Sequence, residues 1–322
     1  MSADSEAAEQ RRRMIRSFEL MAVRMVAAIV SLLPMRVVRR CGAALGRMVY
    51  AVDRSHRRIA LENLASAFPA RPEGERRALA RAMFAHFGSL LLELLKFDTY
   101  TPARMRAAVE VEGEERARQA YQQGRGVLFF TGHFGYWEIH AIAEPLIMHP
   151  ISVLARPLDN AGLNEMLEQI RTRTGNTVIY RQGAVRKVLR ELAANRAVAL
   201  LIDQHLHTPD AVYVDFFRRP AATTSALAAL ALRTGAPVMP VFALPLPRGR
   251  YRLVYEHPVD PPTADTPDAV REFTQRCTDV LEMYVRRHPD LWLWMHRRWR
   301  DQDANAADDL LLRDEPDAEA DA

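Results

Sequence analysis

The hydrophobic positions change their period near residue 126. Before it, residues 36–110 carry apolar side chains at helical spacing. "RRIALENLASAFP" places them three and four apart and stops at a proline, and "EGERRALARAMFAHFGSLLLELLKF" is a second amphipathic run. Together they predict a helical N-terminal layer. Beyond 126, short β-branched or apolar runs take over: "GVLFF", "ISVLAR", "NTVIYR", "AVALLID", "VYVDFF", "PVMPVFALPL" and "YRLVYEHP". Helix-like segments separate them, such as "LNEMLEQIRTR", "AVRKVLRELAAN" and "TSALAALALRTG". This alternation predicts an α/β fold with a mixed, partly parallel sheet flanked by helices. The last two runs are close enough to form a hairpin across "PRGR". A final helix is expected over 265–288, leading into "DLWLWMHRRWR".

Residues 11–40, "RRRMIRSFELMAVRMVAAIVSLLPMRVVRR", precede this pattern. An apolar stretch lies between two arginine clusters, interrupted by Glu19 and Arg24 and stopped by Pro34. A spanning helix needs about 20 apolar residues with few charges, and a secretory signal needs a small-residue cleavage site. The stretch fits neither well. It predicts a membrane-associating helix over 16–35 that lies in the interface, with apolar residues toward the acyl chains and arginines on anionic phosphates. A plain amphipathic core helix is the alternative. The expected organisation is a flexible N-terminus at 1–15, this helix, and a single domain over 36–300. That domain divides into a helical layer (36–110) and an α/β core (111–300), and an acidic disordered tail follows at 301–322.

Charge sharpens the picture. The net charge of +4 hides a split: residues 301–322 hold nine acids against one arginine, about −8, which leaves the remaining body near +12. A basic body suits an anionic partner, whether nucleic acid, acidic lipid head groups or a phosphorylated substrate. Lys96 and Lys187 are the only lysines, so nearly all the positive charge is arginine, the better bidentate donor to phosphate. With 322 residues, 49% of them hydrophobic, the chain can bury a full core without staples. Cys41 and Cys277 lie far apart and form no ligand spacing, which argues against a disulfide framework or zinc ribbon and fits a reducing cytoplasm.

The candidate chemistry starts at "VLFFTGHFGYWEIH". The strand-like "VLFF" ends at Thr131, and ligands gather at the carboxyl ends of strands in open α/β sheets. His133 falls there, between Gly132 and Gly135, which permit a tight turn and close approach of a substrate to the backbone. On one continuous helix, His133 and Glu138 would point about 140° apart. They can meet only if His133 lies on the loop and Glu138 in the first turn beyond it. Glu138 would then accept from one ring nitrogen and leave the other basic. The plainer reading is a histidine capping a turn and a glutamate at a favourable helix N-terminus. Metal binding has a rival set in His133, Glu138 and His140 with Asp203, His205 and His207, but no HExxH is present and no spacing fixes four ligands, so no metal is expected. GxSxG, dinucleotide and Walker A signatures are also missing.

A second constellation joins this one. Arg156 ends "ISVLAR", Arg171 and Arg173 sit on the helix that follows, and Asp203 ends "VALLID". His133, Arg156 and Asp203 thus follow strands that could be sheet neighbours, and such a rim suits an anionic substrate with a developing oxyanion. A structural Arg171–Asp203 ion pair is the plainer alternative. In "DLWLWMHRRWR", Trp292, Trp294 and Trp299 interleave with arginines. That pattern can mean nucleic-acid stacking, a membrane interface or packing of a terminal helix, the last being the reading for the two leading tryptophans.

Several of these elements, in order, resemble the late acyltransferases of lipid A biosynthesis, the lauroyl/myristoyl transferase family within the H-x4-D/E acyltransferases. The matching pieces are "NLASAFP", "HFGYWE", "RPLDN", "IRTRTG", "LLIDQ", "RPAATTSALAALALRTGAPVMPVF" and "WLWMHRRWR", covering about residues 16 to 300. The resemblance implies a glycerolipid-acyltransferase-like fold and an O-acyltransferase at the cytoplasmic face of the inner membrane. It implies transfer of a fatty acyl chain from acyl carrier protein to a hydroxyl of a phosphorylated glycolipid, with no cofactor. His133 and Glu138 match the family's catalytic dyad, Arg171 and Asp203 its other functional arginine and aspartate, and Arg156 the arginine of "RP-x-DN". Arg156, Arg173, Gly132, Gly135 and Gln204 are expected to bind substrate. Expected partners are acyl carrier protein, the glycolipid acceptor and the membrane surface, and no nucleic acid. Related acceptors, such as mannosylated phosphoinositides, are an alternative. A non-enzymatic lipid-binding protein is the reading from a different class.

Overall fold

The computed structural model describes residues 3–180, 183–206, 208, 211–263 and 268–300. His207 and the acidic stretch 301–322 lie outside these residues. Five helices come first: α1 (Ala3–Leu32), α2 (Met35–Val52), α3 (Arg54–Ala67), α4 (Glu73–Phe97) and α5 (Pro102–Ala108). Strands and helices then alternate through β1 (Val109–Glu112), α6 (Glu114–Gln122), β2 (Val127–Thr131), α7 (Trp137–Ile147), β3 (Ile151–Ala155), α8 (Ala161–Thr172), β4 (Thr177–Tyr180), α9 (Ala184–Ala193) and β5 (Ala197–Leu201). The order closes with β6 (Ala211–Phe216), β7 (Arg219–Thr224), α10 (Ala226–Thr234), β8 (Val238–Leu246), β9 (Arg250–Tyr255) and α11 (Ala269–Arg287).

Seven strands form one mixed sheet in the order β1-β9-β8-β2-β5-β3-β4. Every neighbouring pair is parallel except β8–β9, the hairpin expected across "PRGR". The central strands are buried on both faces and therefore read as continuous apolar runs. Along β2, Leu128 and Phe130 enter one core, and Val127 and Phe129 enter the core on the opposite face.

The structure departs from the sequence pattern at four places. The run "VYVDFF" leaves the main sheet and pairs antiparallel with β7 as a separate hairpin. β1, "VEVE", and β7, "RPAATT", have no apolar run long enough to announce a strand. α1 starts at Ala3, well before the expected boundary at residue 16, because "SEAAEQRRR" is built of strong helix formers. Finally, "DLWLWMHRRWR" is no helical extension. After a short 3-10 turn at Pro289–Leu291, Trp292 bridges antiparallel to Phe134 in the loop after β2, and turns follow.

The helical layer is held by a close crossing of α2 on α4. Gly42 and Gly46 on α2 face Gly88 on α4, and a Cβ at Gly46 would sit 1.9 Å from the backbone oxygen of Phe84. Only backbone-to-backbone packing fits there. A buried polar knot lies beside it. Glu93 of α4, fully buried, accepts from Arg39 Nε (2.9 Å), from Tyr136 Oη (2.6 Å) and from Tyr251 Oη. Burial raises the pKa of Glu93, while Arg39 and the two phenols oppose that shift. The knot joins α2, α4 and β9 to Tyr136, the residue that caps α7.

Gly46→Ala is expected to cost about 3 kcal/mol in chemical denaturation, because backbone must move to admit the methyl group. Gly74→Ala, in open space at the start of α4, should instead leave stability unchanged or raise it slightly. Equal effects at the two positions would mean that the crossing is not close-packed.

Candidate active site

β2 and β5 are parallel neighbours with Thr131 opposite Leu201. His133 and Asp203 each stand two residues past those strand ends, so the register alone brings them together. Asp203 Oδ1 lies 2.9 Å from His133 Nδ1, and its Oδ2 accepts the His133 backbone N–H at 2.7 Å. The indole of Trp292 donates to Oδ2 as well, at 2.8 Å. Gly132 makes room for this carboxylate, since a Cβ there would lie 2.9 Å from Asp203 Oδ2.

Asp203 is 3% exposed. Burial alone would raise its pKa, yet His133 and the three donors hold it down to about 2. For His133, burial works against the charged ring, but the adjacent Asp203 carboxylate outweighs it, Glu138 adds to the pull and Arg171 opposes it. The net effect raises the histidine above its ordinary 6.5. With Nδ1–H given to Asp203, Nε2 carries the lone pair, and the amide nitrogen of the exposed Gln204 side chain donates to it at 3.3 Å. This is a carboxylate-oriented imidazole of the kind that acts as a general base.

The hydrogen bond expected between Glu138 and His133 is therefore made by Asp203. Glu138 sits in the first turn of α7 and forms a two-pronged ion pair with Arg171, including an Nε–Oε2 contact of 2.9 Å. Both ends gain from helix dipoles, a carboxylate at an N-terminus and an arginine in the last turn of α8. Trp137 also donates to Glu138 Oε1 at 3.0 Å and sets its ring edge against His133, 5.2 Å between centroids. Glu138 thus acts on the imidazole through its field and through a shared tryptophan. The plain Arg171–Asp203 ion pair is likewise replaced: Arg171 pairs with Glu138, and Asp203 pairs with His133.

The remaining residues are placed less centrally. Arg173 pairs with Asp98 at 3.0 Å on the outside of the helical layer. Arg156 is largely exposed and lies 3.9 Å from Asp159. Neither shares a hydrogen bond with the His133 cluster. An open groove of about 520 Å³ runs along the outer side of α8 between Leu158 and Thr172, but Glu165 and Glu168 line it, an unsuitable wall for phosphate. Gly135 has φ +58 and faces the carbonyl of Ala243, so it must be glycine. Its N–H donates to Leu291 O at 2.8 Å and is therefore not open to a substrate. Among the described residues no group of three or more His, Cys, Asp or Glu could hold a metal ion. The residue that sequence reading missed is Trp292. All three tryptophans of "DLWLWMHRRWR" are at most 1% exposed, so none is available for stacking on nucleic acid or for anchoring in a membrane interface.

A sequence model described as bacterial lipid A biosynthesis acyltransferase matches residues 6–301. The chain is 27% identical to the lipid A biosynthesis lauroyltransferase of Escherichia coli (strain K12) over 274 residues, 84% of this chain and 88% of that protein. It is 26% identical to a phosphatidylinositol mannoside acyltransferase of Mycolicibacterium smegmatis over 226 residues, 69% of this chain and 72% of that one. Among solved structures, the 1-acyl-sn-glycerophosphate acyltransferase PlsC of Thermotoga maritima aligns at TM-score 0.35 and 18% identity, over 79% of this chain and 97% of that one.

The His133 imidazole should titrate above 6.5 when followed by NMR, and Asp203→Asn should move the midpoint below 6.5. Removing Asp203 takes away the anion that most favours the charged ring and leaves burial and Arg171 against it, with only the weaker pull of Glu138 in its favour. A midpoint in Asp203→Asn equal to or above that of the unmodified protein would show that Asp203 does not hold the ring.

Proposed function

The chain belongs to the family of bacterial lipid A biosynthesis acyltransferases and is a glycolipid O-acyltransferase, and from that premise we propose its donor, acceptor and mechanism. The donor is a fatty acyl thioester of acyl carrier protein, and the acceptor is a hydroxyl of a phosphorylated lipid A precursor. The observation that carries the reading is the His133 imidazole, oriented by Asp203 at adjacent strand ends with Nε2 beside the solvent-exposed Gln204. Nε2 takes the proton of the acceptor hydroxyl, and that oxygen attacks the thioester carbonyl. The tetrahedral intermediate collapses with cleavage of the C–S bond, and the imidazolium returns the proton to the departing thiolate. Asp203 stabilises the imidazolium between these steps. The Gln204 amide, already close to the base, is placed to donate to the oxyanion, with the Arg171–Glu138 pair forming the adjacent wall. General-base help and oxyanion stabilisation are each worth about two to four powers of ten in rate. A mannosylated phosphoinositide acceptor is a second reading, favoured by the similarity to the mycobacterial relative.

Attachment to the cytoplasmic face of the inner membrane is part of this proposal. Met14, Phe18, Met21, Met25, Ile29 and Leu32 recur three or four residues apart on α1, and all are exposed, Phe18 at 66% and Leu32 at 85%. The opposite face, through Val23, Val26 and Val30, packs on the body. Asn160, which caps α8, bonds to Arg16 O and Glu19. A helix with its back to the protein and apolar side chains outward suits the plane of an interface, with the exposed Arg16 and Arg24 turned to lipid phosphates. α4 is the one helix among the described residues that is long and apolar enough to cross a membrane, but it runs through the core and carries the buried Glu93.

With purified enzyme, acyl carrier protein thioester and a lipid A precursor, His133→Ala should lose at least about a hundredfold in turnover while still unfolding in one cooperative transition, at a lower temperature because Asp203 loses its ring partner. Wild-type turnover in that variant, or an acyl group trapped on a serine or cysteine, would sink the direct-attack mechanism. The double substitution Phe18→Glu and Met25→Glu should abolish sedimentation with vesicles containing anionic phospholipid. Unchanged sedimentation would remove α1 as the attachment face.

A further inference from the structure

The segment after α11 is tied to the site more tightly than packing requires. Gly135 N–H donates to Leu291 O at 2.8 Å, and Leu293 N–H donates to His133 O at 3.1 Å, so the segment zips onto both sides of the histidine loop. Between those two bonds, Trp292 sends its indole N–H to Asp203 Oδ2. The far end is anchored separately. Asn63 of α3, itself buried, donates to Trp294 O at 2.7 Å and to His296 O at 2.8 Å. Arg298, 1% exposed, donates to Ala222 O at 2.6 Å and to Thr223 Oγ1 of β7. A buried indole N–H needs an acceptor, but a backbone carbonyl would serve, as Pro289 O does for Trp294 at 2.6 Å. Trp292 is spent instead on the carboxylate that orients the catalytic base.

We propose that Trp292 is a positioning residue for the acyl-transfer reaction, its indole N–H fixing Asp203 so that Asp203 presents one oxygen to the His133 ring, with Asn63 holding the segment that carries the indole. The inference rests on His133 being the general base. Without the indole, Asp203 Oδ2 loses one of its two donors and keeps the His133 backbone N–H, so the carboxylate stays against Nδ1 but is held there less rigidly. Its negative charge is also less dispersed, so it favours the charged imidazole more strongly. The other charged or titratable groups facing this pair are Glu138 on α7, Arg171 on α8, and His296 and Arg298 on the segment itself. All four remain in place when only the indole N–H is removed.

The test is Trp292→Phe and, for shape, replacement of Trp292 by β-(3-benzothienyl)alanine, in which sulfur stands where the N–H was. Both should lower kcat about tenfold, a barrier change typical of one lost hydrogen bond to a charged group, with KM within about twofold. Both should also move the His133 titration, followed by NMR, up by about half a pH unit. A purely space-filling tryptophan predicts a lower melting temperature in Trp292→Phe, no change in the benzothienyl variant and an unmoved titration in both. That pattern would overturn the proposal. If Trp292→Phe fails to fold, the benzothienyl variant decides alone. The NMR arm needs no turnover, so a wrong assignment of the reaction would appear as inactivity of the unmodified enzyme and leave the titration shift readable.

Discussion

A carboxylate buried as deeply as Asp203 cannot be left short of partners, because an unpaired charge in a low-dielectric interior costs several kcal/mol. Most of the site follows from satisfying it. The register of β2 against β5 supplies the His133 loop, the missing side chain at Gly132 lets the carboxylate come within reach of the loop backbone, and the segment after α11 supplies the indole. Each contribution comes from a different part of the chain, and each would be pointless without the others. The charge-assisted bonds that result, worth about 1.5–3 kcal/mol apiece, also fix which nitrogen of His133 carries the proton. Stability and chemical readiness rest here on the same contacts.

Other buried charges serve as framework. Glu93 collects Arg39 and two tyrosines, so that the helical layer grips the sheet and fixes Tyr136 at the head of α7. One residue further on, Trp137 meets both His133 and Glu138. Glu144, on the same helix, takes the hydroxyl of Tyr255 in β9. α7 is thus pinned at both ends of its buried face, and the Glu138–Arg171 pair locks it to α8. This explains why a helical layer distant in sequence matters to a site built at strand ends: it holds the helix that forms the site's wall.

Much of this was legible in the sequence, and the limits have physical causes. Continuous apolar runs announced β2, β5 and β8 because those strands are buried on both faces. β1 stayed hidden because an edge strand tolerates two glutamates, and β7 because its small residues and proline carry little β signal. His133 and Asp203 were both recognisable as residues following strand ends. Their partnership was not, since it depends on strand order, and the sequence separation of 70 residues says nothing about that order. Glu138 lay only five positions from His133, and that closeness suggested a bond that the start of α7 in fact directs toward Arg171. Trp292 read as core because it is core. Its second role depends on one nitrogen, which composition and periodicity cannot register.

What His133 Nε2 faces bears on the mechanism itself. A protein nucleophile would have to lie within hydrogen-bonding reach of the base that activates it. Among the described residues, the hydrogen-bonding neighbour of Nε2 is the Gln204 amide, a group with no acidic proton to give at neutral pH and no nucleophilic use. Cys277 is buried and paired with neither His133 nor Asp203, and its burial, with Asp279 nearby, raises the thiol far above the range in which a thiolate forms. Cys41 sits exposed on α2, away from the histidine loop. Under the proposed mechanism the base meets a hydroxyl that arrives from outside, and the Gln204 amide moves from Nε2 toward the carbonyl oxygen as it enters. A single transfer step between two bound substrates is the chemistry that such an arrangement serves.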